Sequence, residues 1–271
     1  MNTRLLLVGC GKMGSAMLEG WLAQGLVASN VYIVEQPEAA EKLQTSYGIN
    51  GITDVKDVPK DFSPQVVLFA VKPQVLPDVI DAYKPLARAE TVFLSVAAGK
   101  TIEFFTSHLG ENARIVRAMP NTPAAVSRGM TVMCPTENVS IAQCNMCETL
   151  LKTVGLVSWV EDESLMDAVT ALSGSGPAYI FHLVEAMAQA GETAGLPAEQ
   201  AMLLARQTVV GAGFLLDSSE ETAATLRQNV TSPGGTTAAA LNVLMDQKSG
   251  LPELMTRAVE AARKRSVELA G

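Results

Sequence analysis

Between residues 4 and 160, short apolar runs alternate with segments of helical periodicity, and this alternation constrains the fold more than any other feature. The runs lie at 4–8, 31–35, 66–71, 91–96, 113–119, 130–134 and 156–160. Helical segments fall between many of them, at 12–24, 37–47, 73–86, 102–109 and 140–154. Strands joined through helices by short connections predict parallel β-α-β units and a twisted sheet covered on both faces. The stretch Val66-Val67-Leu68-Phe69 is apolar at every position, as a strand buried on both faces requires.

After Trp159 the pattern changes. Ser164 followed by Asp167 three residues on is a helix-start signature, and no strand alternation follows it. Helices are expected at 165–194, 198–217, 221–228, 238–247 and 253–270, separated by Gly/Pro/Ser-rich breaks. The chain thus reads as an α/β domain over 1–160, with a mostly parallel sheet, followed by an all-α domain over 161–271. Apolar residues recur on several helix faces, as in Ala201-Met202-Leu203-Leu204-Ala205. With 48% apolar residues, 18% charged residues and a mean hydropathy of +0.22, the helical half needs a covering partner, and a dimer formed through it is expected.

A net charge of −8 gives no electrostatic footprint for a phosphate backbone, so nucleic acid is disfavoured. The uncharged stretch from Ala168 to Val184 is 17 residues long and holds Gly174, Gly176 and Pro177, which makes a poor membrane span. The apolar run at residues 5–8 is too short for a signal peptide, so a cytoplasmic protein is expected. Cys10, Cys134, Cys144 and Cys147 do not make a disulfide framework. Cys144 and Cys147 are spaced C-x-x-C, but inside a helix and with only His108 and His182 in the chain, so two small helix residues are expected and no metal site.

Gly9-Cys10-Gly11-Lys12-Met13-Gly14 is G-x-G-x-x-G between the first strand and the first helix. Gly9 permits the tight turn, Gly11 lets the backbone approach a pyrophosphate, and Gly14 lets helix and sheet pack closely. The helix start offers free N–H groups to phosphates. Glu35 ends the second strand, where a carboxylate accepts from two ribose hydroxyls and repels a 2′-phosphate. The other reading is a loop glutamate turned to solvent. No arginine follows in residues 36–40, so the local chemistry leans toward NADH. Ala70-Val71-Lys72-Pro73 and Ala97-Ala98-Gly99 close two further strands on the same edge and should border the nicotinamide half. Lys72 reads as a solvated or cofactor-contacting lysine ahead of a proton donor.

In the helical half, Ser173-Gly174-Ser175-Gly176-Pro177 interrupts an apolar stretch. Val230-Thr231-Ser232-Pro233-Gly234-Gly235-Thr236-Thr237 precedes a helix beginning near Ala238. Free backbone N–H groups and hydroxyls at a helix start suit a small carboxylate. A Gly-rich helix–helix turn capped by Thr236 is the other reading. No lysine occurs from Thr153 through Gln247, and His182, in an apolar helix, reads as a packed core residue. Alcohol dehydrogenases need a base of this kind; reducing a protonated C=N bond mainly needs a placed hydride donor and an oriented substrate.

Taken together, these motifs and Arg117-Ala118-Met119-Pro120-Asn121-Thr122-Pro123 make the chain similar, over essentially its whole length, to the Δ1-pyrroline-5-carboxylate reductase family, the final enzymes of proline biosynthesis. The resemblance implies a Rossmann-like domain, a helical domain interlocking with a second subunit, and larger rings of dimers in some members. It implies hydride transfer from NADPH or NADH to the imine carbon of L-1-pyrroline-5-carboxylate, giving L-proline. It assigns the cofactor to Gly9, Gly11, Lys12, Met13, Gly14, Glu35, Ala70, Val71, Lys72, Pro73, Ala97 and Asn121. It assigns the substrate to Ser175, Val230, Ser232, Gly234, Gly235 and Thr236, with Thr237 as the hydroxyl that hydrogen-bonds the ring nitrogen. Many relatives use NADPH and carry serine, asparagine or arginine near the end of the second strand, where this chain has Glu35 and Gln36, so dual use with better NADH tolerance is expected. The alternatives are a β-hydroxyacid dehydrogenase-like or general imine reductase, or a non-catalytic NAD(P)H-binding protein. The lysine-free interval argues against the dehydrogenase, and the hydroxyl turn favours an enzyme.

Overall fold

The structure is a computed structural model and describes residues 2–270. Eight strands form one sheet: β1 (Leu5–Val8), β2 (Val31–Val34), β3 (Asn50–Ile52), β4 (Val66–Phe69), β5 (Val92–Ser95), β6 (Arg114–Met119), β7 (Gly129–Pro135) and β8 (Gly155–Trp159). Their order is β3-β2-β1-β4-β5-β6-β7-β8, and only the β6–β7 pair is antiparallel. The helices α1 (Lys12–Ala23), α2 (Pro37–Tyr47), α3 (Leu76–Val79), α4 (Ile102–Leu109) and α5 (Ile141–Leu151) connect the strands. The α/β architecture is therefore the expected one.

Strand periodicity sorts the core into two layers. Leu5 and Leu7 of β1 pack with Met17, Leu18 and Trp21 of α1 on one face. Leu6 and Val8 point the other way, into a cluster with Phe69, Tyr83, Phe93 and Phe105. Both faces being dry, β1, β4 and β5 are buried at every residue. The caps follow the sequence: Thr101 Oγ1 accepts from the Phe104 N–H, and Ser140 with Gln143 forms a capping box.

One strand was not expected and two helices differ from expectation. β3 has only three residues and no alternation, which left it unread in the sequence; its Gly51 lies so close to the Ala40 carbonyl of α2 that no side chain fits. The helix expected at 73–86 is one α turn followed by a 3-10 stretch, Ile80–Leu86, because Pro85 has no N–H and its ring excludes α geometry. The helix expected at 165–194 breaks into α6 (Met166–Val169), a π turn (Thr170–Gly174) and α7 (Gly176–Thr193). Pro177 explains the break.

The chain packs as two compact units, residues 2–174 with 263–270, and Ser175–Ala262. This packing division differs from the expected boundary at 160/161. Met166 is fully buried with Val132 and Cys134 of β7, which holds residues 161–174 on the sheet. The tail returns as well: the Ser266 hydroxyl donates to Asp167 Oδ1 at 2.7 Å.

The second unit contains α7, α8 (Ala198–Ser218), α9 (Ala223–Asn229), α10 (Thr236–Leu244) and most of α11 (Leu251–Ala270). Its buried apolar residues are small, namely Ala188, Ala201 and Ala205. Phe181, Leu203, Phe214 and Val243 are 63–71% exposed, so the apolar content of this unit faces outward in the single chain. Such a surface is what a subunit partner covers.

Candidate active site

In the first unit, the carboxyl ends of β1 and its neighbours meet where the strand order runs outward in both directions from β1 and β4, the position at which open α/β sheets bind ligands. The turn after β1 is built by its glycines. Gly9 has φ +82°, and a Cβ there would lie 2.6 Å from Val71 Cγ1. A Cβ on Gly14 would lie 3.0 Å from the Gly9 carbonyl. Gly11 differs: nothing lies within 4 Å of its Cβ position, and it begins α1 with no side-chain cap. Open space over uncapped helix N–H groups is the cradle a pyrophosphate fills, so these residues fit a dinucleotide.

Glu35 is not turned to solvent. Its Oε2 accepts from the Cys10 N–H at 2.7 Å and its Oε1 from the Gln36 N–H at 2.9 Å, which seats the carboxylate against the glycine turn. Burial raises the Cys10 thiol, with Glu35 and Glu19 adding to the effect, so the turn carries a neutral thiol. Ala70 donates its N–H to the Val8 carbonyl at 2.8 Å, and Val71 packs on Gly9. Lys72 and Lys12 are exposed, with Pro73 and Met13 half-buried beside them. Ala97 is buried, its N–H donating to Ser95 Oγ. Asn121 follows β6, its Oδ1 accepting from the Met130 N–H at 2.8 Å and its Nδ2 donating to the Ser173 carbonyl at 3.2 Å.

In the second unit, Gly234 with φ +70° and Gly235 in extended geometry turn the chain into α10. The Gly235 N–H donates to the Ser232 carbonyl at 3.0 Å. α10 begins at Thr236 and has no side-chain cap, so the reading of Thr236 as the cap fails. Among the described residues no hydrogen bond engages the hydroxyls of Ser232, Thr236 or Thr237; Ser232 and Thr236 are exposed and Thr237 is half-buried. Val230, 63% exposed, precedes this turn, and Ser175 precedes α7 without capping it. The start of α10 therefore presents free donors and hydroxyls together, chemistry that suits an anion beside a hydrogen-bonding ring.

Other candidates fall away or appear. His182 is exposed and meets Glu185 Oε2 at 3.0 Å, rather than packing in a core, because its face of α7 is not covered in the single chain. Burial pushes the Cys134 thiol up to about 11 and raises Cys144 and Cys147 too, so these are inert packing residues. Among the described residues no three His, Cys, Asp or Glu side chains converge on a metal position. No helix among them is long and apolar enough to cross a membrane. The sequence reading missed an ion pair between buried Arg117 and half-buried Glu163: Arg117 Nη1 donates to Glu163 Oε1 at 2.6 Å, and that oxygen also accepts from the Ile102 N–H. The signal was Arg117, a cation flanked by apolar residues within the strand Arg114–Met119.

The comparisons with known proteins point one way. The family model described as pyrroline-5-carboxylate reductase dimerisation matches residues 163–269, and that described as NADP oxidoreductase coenzyme F420-dependent matches residues 4–99. Pyrroline-5-carboxylate reductase of Pseudomonas aeruginosa is 39% identical over 268 residues, covering 98% of this chain and 97% of the relative. The solved pyrroline-5-carboxylate reductase of Coxiella burnetii is 35% identical, with a TM-score of 0.93 and full coverage of both chains. The Plasmodium falciparum pyrroline carboxylate reductase, solved with NADP bound, is 27% identical with a TM-score of 0.80, covering 100% of this chain and 99% of that one. Since the likeness runs end to end, through the glycine turn and the hydroxyl turn alike, the chain belongs to the pyrroline-5-carboxylate reductase family.

Proposed function

We propose that this chain carries out the reaction of its family, NAD(P)H-dependent reduction of L-1-pyrroline-5-carboxylate to L-proline, with the residues described above in the following roles. The observation that carries the assignment is the start of α10, where an uncapped helix end and unengaged hydroxyls sit together. Ser232, Gly234, Gly235 and Thr236 bind the substrate carboxylate through backbone N–H and hydroxyl groups, with Val230 and Ser175 completing the pocket. The Thr237 hydroxyl hydrogen-bonds the ring nitrogen and holds its proton there. Gly9, Gly11, Lys12, Met13 and Gly14 hold the pyrophosphate, and Ala70, Val71, Lys72, Pro73 and Ala97 border the nicotinamide. A bound reduced nicotinamide supplies the hydride for the imine carbon. Residues 1–160 serve as the dinucleotide domain and 161–271 as the substrate and dimerisation domain. The dimer is the unit of function, rings of dimers are the larger assembly, and the cytoplasm is the site of action.

Consumption of NADH and NADPH with pyrroline-5-carboxylate, with proline as product, tests the assignment; cofactor binding without turnover overturns it. Thr237→Ala should lower kcat roughly tenfold, about 1.4 kcal/mol of transition-state stabilisation, and Thr237→Ser should restore most of it. Unchanged kinetics would remove Thr237 from the mechanism.

Glu35 carries the cofactor prediction. Its carboxylate, already fixed against the glycine turn, accepts ribose hydroxyls and meets a 2′-phosphate with like charge. Both cofactors should be used, with NADH well tolerated. Glu35→Ser should shift the kcat/KM ratio toward NADPH by about tenfold, or about 1.4 kcal/mol. A strong NADPH preference in the parent protein would refute this role.

A further inference from the structure

A helical carbonyl ordinarily accepts from the N–H four residues on. For Ser173 that residue is Pro177, which has no N–H. The next amide, Ala178, donates instead to the Ser175 carbonyl at 3.0 Å. The Ser173 carbonyl, at the end of the π turn Thr170–Gly174, would be left without a backbone donor. Asn121 supplies one: its Nδ2 lies 3.2 Å from that carbonyl and 3.4 Å from the Ser173 hydroxyl. The orientation of the amide is fixed by its other end, because the Met130 N–H can only donate and so must face Oδ1, at 2.8 Å. Both ends of the side chain are thereby held by protein groups. Nearby, Gly174 comes so close to Met119 that a Cβ would lie 2.5 Å from the methionine methyl.

We infer that Asn121 is a positioning residue: it gives the Ser173 carbonyl the donor that Pro177 cannot give, and so fixes the π turn from which the chain enters α7 at Ser175. The Met-Pro-Asn and Ser-Gly-Ser-Gly-Pro segments are then two halves of one device, the asparagine of the first answering the proline of the second. Short π segments cluster at functional sites because their unusual hydrogen bonding must be held by something outside the helix. Here the holder is a side chain 52 residues away in sequence. The inference rests on the proposed role of Ser175 in the substrate pocket. It gives Asn121 the ordering of the turn in place of the cofactor contact that the family resemblance implies.

Asn121→Asp tests this, because aspartate keeps the acceptor for Met130 but turns a carboxylate oxygen toward the Ser173 carbonyl. Amide hydrogen exchange over residues 170–176 should speed up about tenfold in the variant, and kcat should fall about tenfold. The Kd for NADH, measured directly by fluorescence, should stay within twofold. Lowering the pH protonates the aspartate, which then donates again, so the ratio of variant to parent kcat should rise toward acid. Unchanged exchange over 170–176 overturns the inference, as does a tenfold weaker Kd for NADH without faster exchange, which would make Asn121 a cofactor ligand. If the parent protein does not turn over pyrroline-5-carboxylate, the proposed reaction fails while the exchange comparison still decides the role of Asn121.

Discussion

Valine in place of Gly11 leaves the protein folded and lowers its affinity for NADH by at least a hundredfold. The two halves of that expectation come from the same geometry. Nothing lies within 4 Å of a Cβ at this position, and the backbone has an ordinary φ of −70°, so the side chain meets no steric obstacle within the protein itself. Valine is a poorer residue than glycine at a helix start, at about 1 kcal/mol. Its methyl groups then fill the space where the pyrophosphate must approach the first N–H groups of α1. A hundredfold loss corresponds to about 2.7 kcal/mol. A fluorescence titration with NADH, alongside thermal unfolding, separates the two effects, and tight binding by the variant would refute the placement. Gly9 makes the contrast: with φ +82° and Val71 against it, any side chain there damages the fold before it damages binding.

Trp21→Ala acts on the same helix from beneath, and it should cost about 3–5 kcal/mol of stability. Trp21 is fully buried in the layer that seats α1 on the sheet. Its indole N–H donates to the Leu150 carbonyl at 2.7 Å, joining α1 to the end of α5. Alanine leaves a cavity that close-packed neighbours fill only in part. Trp21→Phe keeps most of the apolar volume, and the Leu150 carbonyl still accepts from Thr153 Oγ1 at 2.7 Å, so this change should be clearly milder. Urea unfolding at a fixed protomer concentration measures both, since a partner subunit contributes to apparent stability. A loss below 1 kcal/mol for the alanine variant would contradict the packing described.

Much of the fold was legible because parallel strands buried on both faces spell themselves as uninterrupted apolar runs, as β1, β4 and β5 do. β3 was not, since three residues at a sheet edge carry no period and the constraint on Gly51 comes from Ala40, a residue of another element. Pro85 and Pro177 were visible, but their effect on helix type depended on what else could satisfy the backbone. In the site, the turn geometry of G-x-G-x-x-G was legible, and the positive φ of Gly9 and the open space at Gly11 match it. The hydroxyl turn was not: deciding between a capped turn and an open helix end required seeing that Gly235, not a threonine, precedes α10. The bond from Cys10 to Glu35 and the bond from Asn121 to Ser173 are tertiary, joining residues 25 and 52 positions apart, and no local pattern encodes them.

The return of residues 263–270 to the sheet-bearing unit sets an order of events during synthesis. The ribosome delivers all eight strands early, yet Asp167 gains the Ser266 hydroxyl only after the whole of Ser175–Ala262 has been translated. The backbone of Leu269 then comes to rest beside Gly99, with its carbonyl oxygen 3.3 Å from where a Cβ would stand, next to the turn after β5. The sheet-bearing unit is thus finished last although it is begun first, and a nascent chain arrested within α8 would carry the glycine turn without this final strap.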